Sequence, residues 1–161
     1  MADSRLHKGD WHHESFRPRQ RRKPSLANQW SERRISVSKR PRVLLVDDHP
    51  NMLKAVSRLL APHCEVVASL ADGGALLETA HRLAPDVVVL DVNLPDIRSL
   101  EACRQITRLN PGIKVIMFTA MNDPIGSQAF FDAGASAFVS KLAADDLVST
   151  IKRLCAVTVE S

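Results

Sequence analysis

Five side chains, widely separated along the chain, share one local context: each stands at or just past the end of a short aliphatic run. Asp47 and Asp48 follow "VLLV" (43–46), Asp91 follows "DVVVL" (86–90), Thr119 follows "KVIMF" (114–118), and Lys141 comes with Ser140 after "AFV" (137–139). Adjacent carboxylates at the edge of a buried run repel each other, and partial desolvation makes each costlier to ionise. A third carboxylate in the same place forces protonation of at least one, unless a cation joins them. A hard divalent ion with oxygen ligands relieves that repulsion, and Mg2+ is the usual choice where carboxylates share a site with a phosphate. Lys141 adds a second, fixed positive charge. The set is therefore suited to an arriving anion, and a phosphoryl group fits. Taken singly, each residue has a structural explanation, because strands often end in polar residues. It is the joint pattern that carries the chemistry.

These residues act together only if their elements bring them together. Continuous β-branched runs suit strands buried on both faces of a parallel sheet. The runs are 43–46, 64–69, 86–90, 114–118 and 137–139. Between them apolar residues recur at helical spacing: Met52, Val56, Leu59 and Leu60; Leu76, Leu77, Ala80 and Leu83; Leu100, Cys103 and Ile106; Leu147, Ile151 and Leu154. The segment 122–133 is less regular. Ile125, Ala129 and Ala133 point inward, and the adjacent Phe130 and Phe131 cannot both face the core, although aromatic rings are commonly buried. Five β-α repeats predict an α/β fold with a doubly wound, five-stranded parallel sheet, whose ligands bind at the carboxyl ends of the strands. All five chemical positions fall at that edge.

The first forty residues are different material. They hold 11 Lys and Arg against 4 Asp and Glu, a net charge of +7, whereas residues 41–161 carry −3. The stretch "RPRQRRKP" (17–24) shows neither helical nor strand periodicity, so residues 1–40 read as a disordered basic tail and residues 41–157 as the folded domain. Such an arm is attracted to nucleic acid or to an acidic protein surface. Trp11, Phe16 and Trp30 are sparse for base stacking, and "DWHH" (10–13) is a weak metal signal. Cys64, Cys103 and Cys155 have no paired spacing and read as small buried hydrophobes in a reducing compartment. With no apolar leader and no stretch of membrane-spanning length, a cytoplasmic location is expected, with no membrane partner.

The motifs "VDD" (46–48), "LDVNLPD" (90–96), "FTA" (118–120) and "FVSK" (138–141) together resemble the receiver domain of two-component response regulators, in order and over about residues 42–156. "VDDHP" is most similar to receivers joined to helix-turn-helix transcription factors. The resemblance implies a flavodoxin-like sheet of strand order 2-1-3-4-5. It implies that Asp91 is the phosphoacceptor, taking a phosphoryl group from a sensor histidine kinase or phosphotransfer protein. Asp48, Asp91 and the backbone carbonyl of Asn93 would coordinate Mg2+, with Asp47 helping through water. Lys141 would grip the acceptor and then the phosphoryl group, Thr119 would donate its hydroxyl to that group, and Phe138 would be the switch aromatic. Asn93 and Met121 would tune the lifetime of the acyl phosphate, and small Ala120 would leave room for the donor. No enzymatic activity beyond this self-modification is implied.

Two positions depart from the family pattern. Ser99 stands where glycine is usual; it can cap the following helix but resists positive φ. Leu142 replaces the usual proline after the lysine. His49, beside the acids, reads as a loop or capping residue, since one unsupported histidine seldom marks a metal ligand. Only 20 residues follow Lys141, enough for a last helix over about 143–155, whereas a helix-turn-helix output needs several dozen more. The output is therefore expected to pass through an unidentified protein target, through the basic arm, or by phosphate storage, and a homodimer stays open. An aspartate-nucleophile hydrolase of the haloacid-dehalogenase kind is disfavoured. It wants D-x-D-x-[TV] after the first strand, which "DDHPN" does not supply. A nucleic-acid-binding or adaptor protein regulated by the domain remains as the alternative.

Overall fold

The computed structural model describes residues 39–120 and 124–156; the expectations for the basic arm, including residues 10–13 and 17–24, and for Met121 lie outside these residues. Five strands and five helices alternate: β1 (Arg42–Val46), α1 (Pro50–Leu60), β2 (Glu65–Leu70), α2 (Leu76–Leu83), β3 (Val87–Asp91), α3 (Ser99–Leu109), β4 (Lys114–Thr119), α4 (Pro124–Asp132), β5 (Ala137–Ser140) and α5 (Asp146–Ala156). The strands form one parallel sheet, as the β-α repeats predict, in the order β2-β1-β3-β4-β5 that the family resemblance implies. Each strand run expected from the sequence matches an observed strand to within a residue at either end.

The aliphatic runs show no polar alternation because both faces of the sheet are covered. Val43, Leu45, Val87, Val89, Ile116, Phe118 and Val139 face one side, against Val56 and Leu60 of α1 and Leu147 and Ile151 of α5. Leu44, Val46, Val88, Leu90, Val115 and Met117 face the other, against Leu76 and Ala80 of α2 and Ala102, Cys103 and Ile106 of α3. Each such side chain contributes about 1.5–3 kcal/mol relative to exposure, so four in a row through Val87–Leu90 offset the cost of the acid that ends β3. The edge strand β2, by contrast, exposes Glu65 and Ser69.

Three local details differ from the sequence reading. Ala133, just past α4, is buried, but within α4 Ala129 is exposed, and Phe131 is 44% exposed while Phe130 is half-buried. Both rings gather around Phe138, with centroids 5.7 and 5.2 Å from it, and of the two only Phe130 packs against the core. The last helix starts at Asp146, not near residue 143, because the chain first makes a 3-10 turn over Lys141–Ala143 in which Ser140 Oγ accepts from the Leu142 amide. Ser99 has neither positive φ nor the cap position. It is the first residue of α3, and the cap position belongs to Arg98. Cys64 and Cys103 are buried as expected, and Cys155 is half-buried.

Candidate functional site

Strand register brings the polar residues to one edge. Val46 lies beside Leu90, so the next residues, Asp47 and Asp91, end the two central strands side by side. Asp47 is held there by its amide, which donates to the Leu70 carbonyl and carries the ladder one step past β1. Asp91 pairs with Phe118, which puts Thr119 one residue beyond on β4, and Thr119 pairs in turn with Ser140, just before Lys141. The chain leaves β1 toward β2 on one side and enters β3 on the other. The acids therefore sit at the switch point of the sheet, where a crevice opens at the strand ends.

Burial is severe for such polar groups. Asp91 is 2% exposed, Asp47 4% and Thr119 5%. Lys141, whose side chain is 10% exposed, reaches across from the end of β5. Its ammonium donates to Asp91 Oδ2 at 3.0 Å and lies 2.6 Å from Asp47 Oδ2, an ion pair by distance though poorly aligned as a hydrogen bond. The Phe118 ring lies beneath it, with its centroid 5.8 Å from Nζ, a favourable placement for a cation. Desolvation raises the carboxyl pKa of Asp47, but the Lys141 ammonium and the backbone and ring N–H groups of His49 outweigh it. The Asp47 pKa is therefore held below the usual carboxylate range. Burial likewise works against the Lys141 charge, and its bonds to Asp47 and Asp91 overcome this, raising its pKa above the ordinary lysine value.

The loops after the strands complete the arrangement. The Asn93 amide donates to Asp91 Oδ1 at 3.0 Å, so each oxygen of that carboxylate has its own donor. Ser99 Oγ, buried at the start of α3, donates to the Asp91 backbone carbonyl at 2.8 Å, tying the helix to the end of the strand. The His49 amide donates to Asp47 Oδ1 at 2.9 Å, and its ring Nδ1 lies 3.0 Å from the same oxygen and 2.8 Å from Asp48 Oδ1. Ala120, beside Thr119, is exposed at the mouth of the crevice. Phe138 sits further along β5, opposite Met117, under the two α4 rings.

Asp47, Asp48 and Asp91, with the His49 ring, each offer a ligand atom, and these atoms lie within 4.8 Å of one another. One ammonium against three carboxylates leaves an excess of negative charge. Asp47 Oδ2 and Asp48 Oδ1 are both buried without a directed hydrogen bond. Buried acceptors that lack a well-placed donor, on hard oxygen atoms, fit a small divalent cation. The structure thus brings together Asp47, Asp91 and Lys141 by direct contact, Asp48 within 4.8 Å of the other acids, and Thr119 and Asn93 by register and loop. The sequence reading missed two contacts: the Ser99 hydroxyl on Asp91, and the His49 ring on both neighbouring acids. Adjacency in "DDHP" was a signal for the second. The first has none, since a serine eight residues along shows nothing of where its hydroxyl turns.

Residues 43–152 match the response regulator receiver domain. The chain is 35% identical over 118 residues to the response regulator GacA of Pseudomonas aeruginosa, covering 71% of this chain and 55% of that protein. It is 32% identical over 113 residues to the transcriptional regulatory protein DegU of Brevibacillus brevis, covering 68% and 48%. The chain spans about half the length of the curated relatives it matches. Among solved structures, a two-component response regulator of the LuxR family from an Aurantimonas species superposes with a TM-score of 0.69 at 33% identity, covering 74% of this chain and 87% of that one. The BeF3-activated receiver domain of DrrB gives 0.66 at 34% identity, covering 73% and 99%. The response regulator domain of Thermotoga maritima CheB gives 0.68 at 26% identity, covering 76% and 100%. Among the described residues no helix is long and apolar enough to cross a membrane. Sequence, strand order and the convergence of acids at the switch point agree over the same stretch, and on that agreement the chain belongs to the family of two-component response regulator receiver domains.

Proposed function

We propose that the domain is a phosphoacceptor switch in which Asp91 takes a phosphoryl group from a phosphohistidine on a sensor histidine kinase or phosphotransfer protein. The observation that carries this reading is the buried Asp91 carboxylate, held by Lys141 on one oxygen and by the Asn93 amide on the other. A carboxylate needs no activation as a nucleophile, being ionised at neutral pH. An Asp91 oxygen attacks phosphorus in line, the P–N bond of the donor breaks, and its electron pair leaves with the imidazole, which takes a proton from solvent. Asp48, Asp91 and the Asn93 carbonyl would hold Mg2+, with Asp47 acting through water. When bound, Mg2+ neutralises the acids and the incoming phosphoryl oxygens.

The chain's own residues do the rest. Lys141 follows the charge from the Asp91 carboxylate to the phosphoryl oxygen, and Thr119, one strand over, donates its hydroxyl to the new group. Drawing Thr119 inward carries Ala120 with it and frees the space that Phe138 turns into, which rearranges the Phe130–Phe131–Phe138 cluster. The BeF3-activated form of DrrB supports the same use of the site. Intact-mass analysis after incubation with acetyl phosphate and Mg2+ tests the reading. One phosphoryl group is expected, lost in base, absent without Mg2+, and absent in Asp91→Ala. An unchanged mass, also with a panel of histidine kinases, overturns it.

The charge of the basic arm supports a second, compatible reading. Residues 1–40 carry +7, a charge that would draw them to nucleic acid while the domain regulates that contact.

A further inference from the structure

We propose that Ser99 is a positioning residue for phosphoryl transfer, its hydroxyl fixing the backbone of Asp91 so that the acceptor stays aimed while its own oxygens change partners. This rests on the phosphoacceptor reading of Asp91 and deepens it. Asp91 stands where the sheet loosens its hold on the chain. On the β1 side the ladder stops one residue earlier, at Val46 and Leu90. On the β4 side the Val92 amide reaches the Phe118 carbonyl only at 3.4 Å, long for such a bond. The chain then leaves for the loop 92–98, and the Ser99 hydroxyl closes that loop by donating to the Asp91 carbonyl at 2.8 Å. Ser99 and Asp91 are both buried, so removing the donor leaves the carbonyl poorly satisfied.

The acceptor is thus held at three points: Lys141 on Oδ2, the Asn93 amide on Oδ1, and Ser99 on the backbone carbonyl. Transfer disturbs the first two, since one carboxylate oxygen becomes bonded to phosphorus and Lys141 follows the charge to the phosphoryl group. The Ser99 bond involves neither oxygen and persists through the step. An error of about 1 Å in the placement of a reacting atom costs about a hundredfold in rate, so the hold that does not change during transfer bears directly on that rate.

The helix itself does not call for this hydroxyl. Arg98 has the cap position of α3, and the Ser99 side chain turns to the strand. Ser99 has no positive φ, so alanine, glycine and threonine all fit the backbone there. The hydroxyl can therefore be removed or restored while the helix keeps its start.

The full chain is phosphorylated with acetyl phosphate at saturating Mg2+, and initial rates are followed by acid-quenched intact-mass analysis. Wild type is compared with Ser99→Ala, Ser99→Gly, Ser99→Thr and Ile106→Val, the last of which loosens α3 from the core without touching Asp91. Ser99→Ala and Ser99→Gly are expected to slow uptake about tenfold, and Ser99→Thr, which keeps the hydroxyl, to stay within about threefold of wild type. Ile106→Val is expected to keep the wild-type rate. In the metal-free proteins, hydrogen exchange at the Asn93 amide, which donates to Asp91 Oδ1, is expected to quicken in Ser99→Ala and Ser99→Gly but not in Ile106→Val. Wild-type rates or unchanged exchange in Ser99→Ala and Ser99→Gly overturn the proposal. So does a Ser99→Thr as slow as Ser99→Ala, or an Ile106→Val slowed equally; all of these leave Asp91 as the acceptor. A wild type that takes up no phosphoryl group overturns the acceptor reading and this proposal with it.

Discussion

Lys141 is paired with two carboxylates and Asp48 with no cation of comparable strength, and the stability of the site follows from that imbalance. The Asp47 pKa is depressed on folding, so its pairing contributes stability that is complete above about pH 5 and is lost as the pH falls through the folded value. The Lys141 pKa is raised, so its contribution is complete below about pH 10 and is lost as the pH rises through its folded value. The urea midpoint of the metal-free protein should therefore be level between these limits and drop on both sides. Lys141→Met should lower the plateau by about 3 kcal/mol, since it strands two buried carboxylates, and should flatten the alkaline drop. Asp48 shows the reverse trade. Removing a carboxylate that the metal-free site does not satisfy, as in Asp48→Ala, should stabilise that form by about 1 kcal/mol. The same change should abolish the rise in melting temperature on adding Mg2+, which binding to the native state produces. Thermal melts with and without Mg2+ check both halves.

At the scale of elements, two turns decide how the helices meet the sheet. Helix α2 ends on Ala84, which has a left-handed conformation (φ 43°) that a side chain tolerates poorly. The Arg42 guanidinium accepts this geometry by donating to the Leu83 and Ala84 carbonyls at 2.6 and 3.0 Å. Ala84→Gly should stabilise the domain by about 0.5 kcal/mol, the relief of strain exceeding the added freedom of the unfolded chain. Gly134, after α4, has φ 101°, and a Cβ there would stand 2.6 Å from Thr107 Oγ1, a hydroxyl that itself donates to the Ala133 carbonyl. Gly134→Ala should cost about 2 kcal/mol, from both the backbone angle and the loss of that contact. Urea denaturation of the two variants measures these opposite signs.

At the scale of the whole molecule, charge is unevenly spread along the sequence, with +7 on residues 1–40 and −3 on residues 41–161. Among the described residues, the two core clusters, one on each face of the sheet, draw their members from Val43 onward. Deleting residues 1–40 should leave the unfolding free energy from urea titration within about 0.5 kcal/mol of the full chain, and phosphoryl uptake unchanged. The same deletion should abolish binding to RNA or DNA that weakens steeply with salt, because that binding scales with the cations removed. Filter binding of both forms across a salt series, beside intact-mass analysis, separates the two proposed activities.

The sequence alone determined the α/β class, the five strands, and the edge at which Asp47, Asp48, Asp91, Thr119 and Lys141 gather. Aliphatic runs buried on two faces and helical stripes between them are one-dimensional patterns, and the residue after each run inherits its position from them. Only the tertiary structure decided where side chains turn within that framework. Ser99 could have capped its helix but bonds Asp91, and His49 could have capped α1 but faces two acids. Phe131 could have entered the core but rests on Phe138 at the surface. Each of these choices is set by a partner distant in sequence or by a rotamer, and neither leaves a periodic trace along the chain.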